Sequence, residues 1–199
     1  MGTWWYDKKD AQGNVTREKT TDYNLANAEA SKRYMGSSLP KFRGGFTNSF
    51  KYGSFDLNAL FNFSFGSYIY DSSYASLMSG FSSPGNQQSV DVKNAWQKPG
   101  DITNVPVNIM ANNQNNALSS RFLFKNDFIR LKSLTFGYNV KEDLLETMGV
   151  SSMRVFLQGD NVWTWQSHKG IDPEQSLAGT TNSRSYNLRT ISLGFSIGF

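Results

Sequence analysis

The sequence has no cysteine, a single histidine and no dense run of charge of either sign. The absence of cysteine excludes a disulfide framework and a thiolate metal site. Lysine and arginine together number 20 and aspartate and glutamate 16, and this net charge of +4 is scattered along the chain. Such a distribution gives nucleic-acid binding little support, and we expect no nucleic-acid partner.

Long apolar runs are also missing. No stretch approaches the roughly 18 continuous apolar residues that a membrane-spanning helix requires, and mean hydropathy is −0.49, so a helical membrane protein is excluded. Aromatic residues, in contrast, make up 15% of the chain against 18% for charged residues, and glycine, serine and asparagine are abundant. This composition favours strands and turns. A transmembrane β-barrel remains possible, because its strands alternate in polarity and its polar loops lower the mean hydropathy.

The first 40 residues read as a polar loop region, with a turn within Asp7 to Asn14. The acidic spacing departs from that of an EF-hand, so we expect a turn there and no metal. Met1 to Asp7 also lacks the basic and apolar regions of a secretory signal. An exported protein needs such a signal, so either a barrel is the wrong interpretation or the chain starts inside a longer precursor.

From residue 41 onward, apolar and polar residues alternate with the period of a strand. The alternation predicts five strands, at 41–52, 55–66, 121–139, 153–165 and 187–199. Two connections are short: Gly53-Ser54 and Asn139 to Ser152, the latter with one helical turn near Glu142 to Thr147. The other two are long, and Ser67 to Ser120 is expected to hold a short helix near Asp71 to Ser79. Short turns on one side and long loops on the other are typical of outer-membrane barrels.

The first two strands give the strongest physical signal. A two-residue loop that begins with Gly53 suits a type II′ turn, which pairs Tyr52 with Phe55 and Phe50 with Leu57. Both apolar stripes then lie on one face, and a slip of one residue would destroy that agreement. In the third strand the apolar parity changes, which predicts a bulge near Lys132-Ser133.

The last strand alternates completely. Its apolar residues are Ile191, Leu193, Phe195, Ile197 and Phe199, and the other face carries only threonine, serine and glycine between Thr190 and Gly198. The lack of charge on either face favours lipid outside and close packing inside. We therefore predict an all-β fold of antiparallel strands that forms the C-terminal part of a large transmembrane barrel, with long extracellular loops. Five strands cannot close, since such barrels have eight or more.

Several segments, in this order, carry a resemblance to a known family. They are SLPKFRGGFTNSFKYGSFDLNALFNFSFGSYIYD (Ser38 to Asp71), NAWQKPGDITNVP (Asn94 to Pro106), FIRLKSLTFGYNV (Phe128 to Val140), QGDNVWTWQSHKGIDPE (Gln158 to Glu174) and the terminal Tyr186, Arg189, Thr190, Gly194 and Phe199. Together they resemble the SusC/RagA group of TonB-dependent transporters over residues 38 to 199. The family's usual proline is absent near Val140-Lys141 and again between Tyr186 and Arg189, which affects local turn geometry.

The resemblance implies a barrel of about 22 strands in the bacterial outer membrane with an N-terminal plug. It implies gating by the TonB complex through a part that this chain lacks, a SusD-like surface lipoprotein that captures oligosaccharides or peptides, and contact with membrane lipid. It implies no cofactor. It also implies that the aromatic terminal strand, Ile191 to Phe199, is recognised by the barrel-assembly machinery, although such a strand could equally well end on a core aromatic.

Few residues stand out as candidate sites. Trp163 and Trp165, together with Tyr138, lie near predicted strand ends, where amphipathic rings favour the membrane interface, and the two tryptophans could alternatively stack on a sugar. The segment from Gly170 to Glu174 reads as a rigid turn, since Pro173 fixes φ and the Asp172 carboxylate can accept nearby backbone N–H groups. We predict no catalytic, cofactor or metal residues. His168 has no apparent nucleophile near it in sequence.

Two other functions remain open at this point. One is a soluble all-β domain that binds carbohydrate through loop aromatics, and the other is a barrel enzyme that uses His168. Behaviour without detergent separates the first from a transporter segment, because the apolar stripes would then have to be buried internally. Loss of a hydrolase activity on changing His168 to alanine would indicate the second.

Overall fold

The computed structural model describes residues 4–28, 31–80, 85–108, 114–145, 149–175, 177–181 and 185–199. The chain divides into two compact units. Residues 37–69 and 124–199 form what we call the sheet unit, and residues 1–36 and 70–123 form the loop unit. No helix among the described residues is both long enough and apolar enough to cross a membrane.

The elements are mostly strands, with short helices between them. In chain order they are β1 (Trp4–Lys9), β2 (Val15–Thr20), α1 (Tyr23–Ala26), β3 (Phe42–Tyr52), β4 (Phe55–Phe65), β5 (Tyr68–Tyr70), α2 (Ser72–Leu77), 3₁₀ turns at Val90–Asn94 and Ser120–Phe122, β6 (Leu123–Lys125), β7 (Phe128–Asn139), α3 (Glu142–Leu145), β8 (Ser152–Gln166) and β9 (Thr190–Gly198).

The sheet unit is built on one antiparallel sheet in the order β3-β4-β7-β8-β9. Each strand pairs with its neighbour along the sheet, as expected where alternating apolar residues place one whole side of every strand on the same face. The predicted all-β antiparallel architecture with five strands is confirmed. Among the described strands, β3 and β9 each have a partner on one side only, so the sheet is open.

The turn between β3 and β4 has the predicted geometry. Gly53 has φ of +56°, whereas Ser54 does not have a positive φ, which is the pattern of a type II′ turn. Tyr52 pairs with Phe55 and Phe50 with Leu57, and the register continues without a slip to Phe42 and Phe65. The turn therefore fixes which side chains share a face for both strands.

The predicted bulge lies at Lys132. The β4 register passes from Ser133 to Leu131 and leaves Lys132 without a partner. Opposite this point, β8 carries its own irregularity: Trp163 pairs with Leu131 and Asp160 with Ser133. Together the two irregularities keep the apolar residues before and after them on one face.

The third predicted strand is shorter than expected. The sequence predicts one strand over 121–139, whereas the structure has a 3₁₀ turn to Phe122, a short β6 and then β7, with Asn126 and Asp127 between the two strands. The Asn126 backbone N–H donates to the Ser67 carbonyl (2.9 Å) and its side-chain amide donates to the Pro173 carbonyl (3.0 Å). The Asn126 backbone N–H is therefore not available to pair with the strands of the five-stranded sheet, and the strand is interrupted there. The last strand likewise begins at Thr190 rather than at residue 187.

The loop unit contains a hairpin that the sequence did not reveal. The segment expected to be irregular holds β1 and β2, paired from Trp4 with Thr20 to Lys9 with Val15. The predicted turn within Asp7 to Asn14 connects them, because the Asp10 carboxylate accepts the backbone N–H of Asn14 (2.8 Å). Side-chain pairs hold this hairpin: Glu18 binds Lys8 (3.2 Å) and Tyr6 (3.1 Å) across the strands.

The core of the loop unit is small and aromatic. Phe122 is fully buried, and the rings of Tyr70 and Tyr74 meet it edge-on at centroid distances of 6.3 and 6.0 Å. Such edge-to-face contacts add to the burial of apolar area. The predicted helix near Asp71 to Ser79 is α2, and the Asp71 carboxylate caps it by accepting the Tyr74 backbone N–H (2.8 Å).

Candidate functional site

The sheet has two chemically different faces, and its register defines both. Residues that pair directly in an antiparallel ladder lie on the same side, so the pairs trace each face from β3 to β9. One side, which we call the apolar face, carries Phe42, Phe46, Phe50, Tyr52, Phe55, Leu57, Phe61, Phe63, Ile129, Leu131, Leu134, Phe136, Tyr138, Val155, Leu157, Trp163, Trp165, Ile191, Leu193, Phe195 and Ile197.

Much of the apolar face is exposed. Leu193 and Phe195 have exposed fractions of 76% and 71%, Phe50 of 62% and Phe136 of 47%. The rings touch one another across the strands instead of being covered: Phe46 stacks on Phe61 at a centroid distance of 4.8 Å and Phe55 lies 5.0 Å from Tyr138. A contiguous apolar surface of this extent on a soluble protein marks an interaction with a membrane or a partner.

The opposite side, the polar face, carries a different set of side chains. It includes Arg43, Thr47, Ser49, Lys51, Asp56, Asn58, Asn62, Ser64, Arg130, Thr135, Asn139, Arg154, Gln158, Asp160, Ser192 and Ser196. These groups hydrogen-bond across strands: the Arg154 guanidinium donates two bonds to the Asp56 carboxylate (2.6 and 3.0 Å), and the Asn139 amide donates to the same group (3.1 Å). Polar and charged side chains of this kind are compatible with contact to water.

Glycines make room for the long side chains on the polar face. A Cβ at Gly137 would lie 2.6 Å from Asp56 Oδ1, inside the ion pair. A Cβ at Gly194 would collide with the Phe156 ring, whose Cε1 would be 2.9 Å away. At Gly194, the absence of a side chain on β9 thus makes room for the Phe156 ring of β8.

Aromatic residues with a polar atom lie toward the two ends of the apolar face. Tyr52 and Tyr138 lie beside the Gly53-Ser54 turn, and Trp163 and Trp165 lie at the opposite end of the sheet. Between Ile129, paired with Trp165, and Tyr138 the strand rises about 30 Å at ~3.3 Å per residue. A strand tilt of ~35–45° reduces this to roughly 21–25 Å, close to the apolar band of about 25 Å in outer-membrane barrels.

The predicted site residues are brought together on this one face. Trp163 and Trp165 are about half exposed, at 51% and 46%. The residues predicted as an assembly signal, Ile191, Leu193, Phe195 and Ile197, follow one another along the edge strand β9, and Phe199 lies just beyond its end with an exposed fraction of 94%. Their roles stay predictions.

A buried ion cluster on the polar face was not predicted. Arg130 of β7 has 2% of its surface exposed, and its guanidinium donates to Asp172 Oδ1 (2.8 Å), to Glu174 and to Thr164 Oγ1 (3.0 Å). Lys132 adds a second bond to Glu174 (3.1 Å). The sequence placed Arg130 in a strand and the acids in a turn, but no local pattern indicates which loop reaches which strand.

Asp172 also organises the loop around it. Its carboxylate accepts the backbone N–H groups of Glu174 (3.0 Å) and Asn187 (2.8 Å), the first of which is the turn contact expected from the sequence. Burial alone would raise the pKa of Asp172, but these two hydrogen bonds and the Arg130 guanidinium outweigh it and hold the pKa below its usual value. The carboxylate therefore stays ionised and joins two parts of the long β8–β9 connection to β7.

His168 lies in the same loop and stacks on an aromatic ring. Its imidazole is parallel to Phe124, with ring centroids 3.8 Å apart and planes 4° apart. Its carbonyl accepts a hydrogen bond from the Gln166 side chain (2.7 Å). Both contacts fit the packing of a loop histidine against its surroundings.

The loop unit has a cavity of about 890 Å³ lined by aromatic and cationic residues. Trp4, Trp5, Trp96 and Tyr23 line it together with Arg17 and Arg121. The Arg121 guanidinium lies over the Phe122 ring at 5.1 Å and donates to the Asn115 carbonyl (3.2 Å). This composition suits a ligand with flat or apolar surfaces and acceptor groups.

Comparisons with known proteins agree with this architecture. No family model matches the chain. Two TonB-dependent receptors of Formosa agariphila are similar to it, one 30% identical over 89% of the chain and the other 29% identical over 80%. The chain spans only 18% and 16% of the length of these relatives. Both are named as receptors and not as enzymes, and TonB-dependent receptors are outer-membrane proteins, which is the location predicted from the sequence.

Solved structures show the same fold. The RagAB peptide importer in its closed-closed state matches 99% of the chain with a TM-score of 0.76 at 23% identity, and a second structure of the RagAB peptide transporter matches with 0.73 at 20%. The chain covers 21% and 22% of these proteins. The two faces of the sheet thus lie in a fold shared with an outer-membrane importer.

Proposed function

Since this chain is a SusC/RagA-like segment related to the TonB-dependent receptors of the outer membrane, we propose that it forms part of the barrel wall of a nutrient transporter. The apolar face would contact the lipid and the polar face would line the water-filled interior. The observation that carries the proposal is the sheet itself, with exposed apolar residues on one side and ion pairs on the other. A wall between lipid and water accounts for both faces.

The transported nutrient is proposed to be an oligosaccharide or a peptide. Support comes from the cavity of the loop unit, where tryptophan rings and arginines offer stacking and hydrogen bonding to either class. The RagAB structures are named for peptides, which favours peptide for that protein. The polar face offers further hydrogen-bonding groups along the proposed path.

The partners follow from the same proposal. Membrane lipid would cover the apolar face, and the barrel-assembly machinery would recognise β9 as the edge strand. A SusD-like surface lipoprotein would act on the loop side. The TonB complex would act through a part of the transporter outside this chain. We propose no cofactor for these residues.

The test is the behaviour of the purified chain with and without detergent. We expect the chain to aggregate in aqueous buffer and to become monodisperse only in detergent, because the apolar face has no cover of its own. A chain that is monodisperse without detergent and melts cooperatively would contradict the proposal. That result would favour the soluble carbohydrate-binding domain instead.

A further inference from the structure

The apolar face has a notch at the end that carries the tryptophans. The pairing of β8 with β9 stops at Asp160 and Thr190, whereas β8 continues to Gln166 along β7. Beyond Asp160, this side of β8 faces the segment before β9, and the Asn161 amide donates a hydrogen bond to the Leu188 carbonyl (3.1 Å). A cavity of about 770 Å³ lies along this side.

The walls of this cavity combine interface aromatics with cations. Trp163 and Trp165 line it from the apolar face, and Lys169, Tyr186 and Arg189 line it from the loops. The tryptophans are half exposed and both cations are exposed. Indole rings at this depth favour the level of lipid headgroups.

The residues that line the cavity carry a net positive charge, even when the ion pairs between Arg130 and its acidic partners are taken into account. Arg130 also borders the cavity, but Asp172 and Glu174 neutralise it. No carboxylate of the described residues lies within ion-pair distance of Lys169 or Arg189. Two uncompensated cations therefore face a cavity that opens beside a lipid-facing surface.

We propose that this notch binds the phosphate-bearing headgroup of a membrane lipid, with Lys169 and Arg189 on the phosphate and Trp163 and Trp165 against the lipid body. The Tyr186 hydroxyl accepts the Gly170 backbone N–H (2.9 Å), which joins the loop that carries Lys169 to the segment before β9. Asp172 fixes the same segment through the Asn187 N–H (2.8 Å). Both cations therefore lie in segments that hydrogen bonds hold in place. The inference rests on the proposed function, because it needs the apolar face to meet lipid.

The experiment uses the complete outer-membrane protein that carries this chain, reconstituted in phosphatidylcholine vesicles. Brominated phosphatidylcholine or brominated phosphatidylglycerol is added, and the quenching of tryptophan fluorescence is measured. The same measurement on the double variant Trp163→Phe, Trp165→Phe is subtracted, which leaves the quenching at the notch. We expect the anionic lipid to quench more strongly than the neutral one. Lys169→Gln and Arg189→Gln should each reduce this preference about fivefold, the effect of one surface cation on an anionic lipid. Lys141→Gln, an exposed cation just past the other end of β7, should leave it unchanged.

Each other outcome overturns a different statement. If the preference for anionic over neutral lipid is the same in wild type and in both glutamine variants, and neutral lipid still quenches, the headgroup site is overturned. The proposed barrel wall is not affected by that result. A change in the tryptophan fluorescence on addition of inorganic phosphate, with no preference for the anionic lipid, would show a site for free phosphate and overturn the lipid assignment. Absence of quenching by either lipid would contradict the proposed function and the notch with it.

Discussion

Among single residues, the buried guanidinium of Arg130 has the most demanding surroundings. A buried cation is tolerated only when its partners are close and its hydrogen bonds are filled. Asp172, Glu174 and Thr164 supply those partners, and the same Asp172 holds the backbone of Asn187. The ion cluster therefore attaches the loop between β8 and β9 to the sheet, next to the buried side chain of Ile171.

Asp172→Asn should weaken this attachment. Removing one partner of a buried pair leaves a charge only partly compensated, and with Glu174 still present we expect a loss of about 3 kcal/mol in the free energy of unfolding. Urea unfolding of the complete protein in detergent measures it. Glu18→Gln, which removes an exposed pair with Lys8, is the control and should change little. Equal midpoints for Asp172→Asn and wild type would show that the cluster does not hold the loop.

The same carboxylate gives the loop a dependence on pH. The pKa of Asp172 is lowered in the folded protein, so its contribution is fully present above the unfolded carboxyl pKa of about 3.9 and is lost as pH falls through the lower folded value. The difference in stability between wild type and Asp172→Asn should be constant above about pH 5 and shrink below about pH 4. A difference that grows on acidification would mean that the pKa is raised instead.

The packing of Phe156 on Gly194 predicts a second effect at this scale. Gly194→Ala places a methyl group against the ring and should cost about 1–3 kcal/mol by overpacking. Because the three atoms nearest to the added methyl group all belong to the ring, Phe156→Leu combined with Gly194→Ala should recover part of the loss, measured by the same urea unfolding. Ser192→Ala on the same face of β9 is the matched control. If the double variant is as unstable as the sum of the two single variants, the ring is not the cause.

For whole elements, the sequence predicted the strands of the sheet well because their alternation is strong. The turn was predicted from a two-residue loop that begins with Gly53 and from the parity of its strands, and the bulge near Lys132-Ser133 from a change of parity; the register agrees with both. The hairpin of β1 and β2 was missed, since its strands carry lysine, arginine and glutamate where an apolar stripe would be expected. Cross-strand charge pairs such as Lys8 with Glu18 were the available signal.

The remaining features could not be predicted for a common reason. The ion cluster at Arg130, the break at Asn126 and the notch beside β8 all depend on where a loop returns to the sheet. Residues 15 or more apart in the chain meet there, and Arg130 and Asp172 are 42 apart. Nothing in local periodicity encodes these contacts. Family motifs contain both partners but do not state that they touch.

Neighbouring positions in one strand should differ sharply in their tolerance of charge. Leu134 lies near the middle of the apolar face, and Thr135 points to the polar face between Asn58 and Gln158. Leu134→Lys should cost about 2–4 kcal/mol at the centre of the lipid layer, whereas Thr135→Lys should be nearly neutral. Unfolding from lipid vesicles measures both. Equal costs would contradict the assignment of the two faces.

At the scale of the whole molecule, the described strands form a sheet with two open edges and an exposed apolar face. Five strands leave β3 and β9 with open edges, and open edges in lipid would expose unpaired backbone groups. The apolar face extends across all five strands, and its height is close to that of the apolar band of an outer-membrane barrel. Both features are accounted for if further strands complete a closed wall, with lipid outside and water inside.

The assignment of the two faces to lipid and water is tested most directly by the accessibility of single cysteines along β9. The chain has no cysteine of its own, so each introduced cysteine reports on one position. Ser192→Cys and Ser196→Cys probe the polar face, and Leu193→Cys and Phe195→Cys probe the apolar face. With the complete protein in a bilayer, we predict that a water-soluble maleimide reacts with the first pair and that only a bilayer-soluble reagent reacts with the second. Equal reaction of all four positions with the water-soluble reagent would contradict a wall between lipid and water.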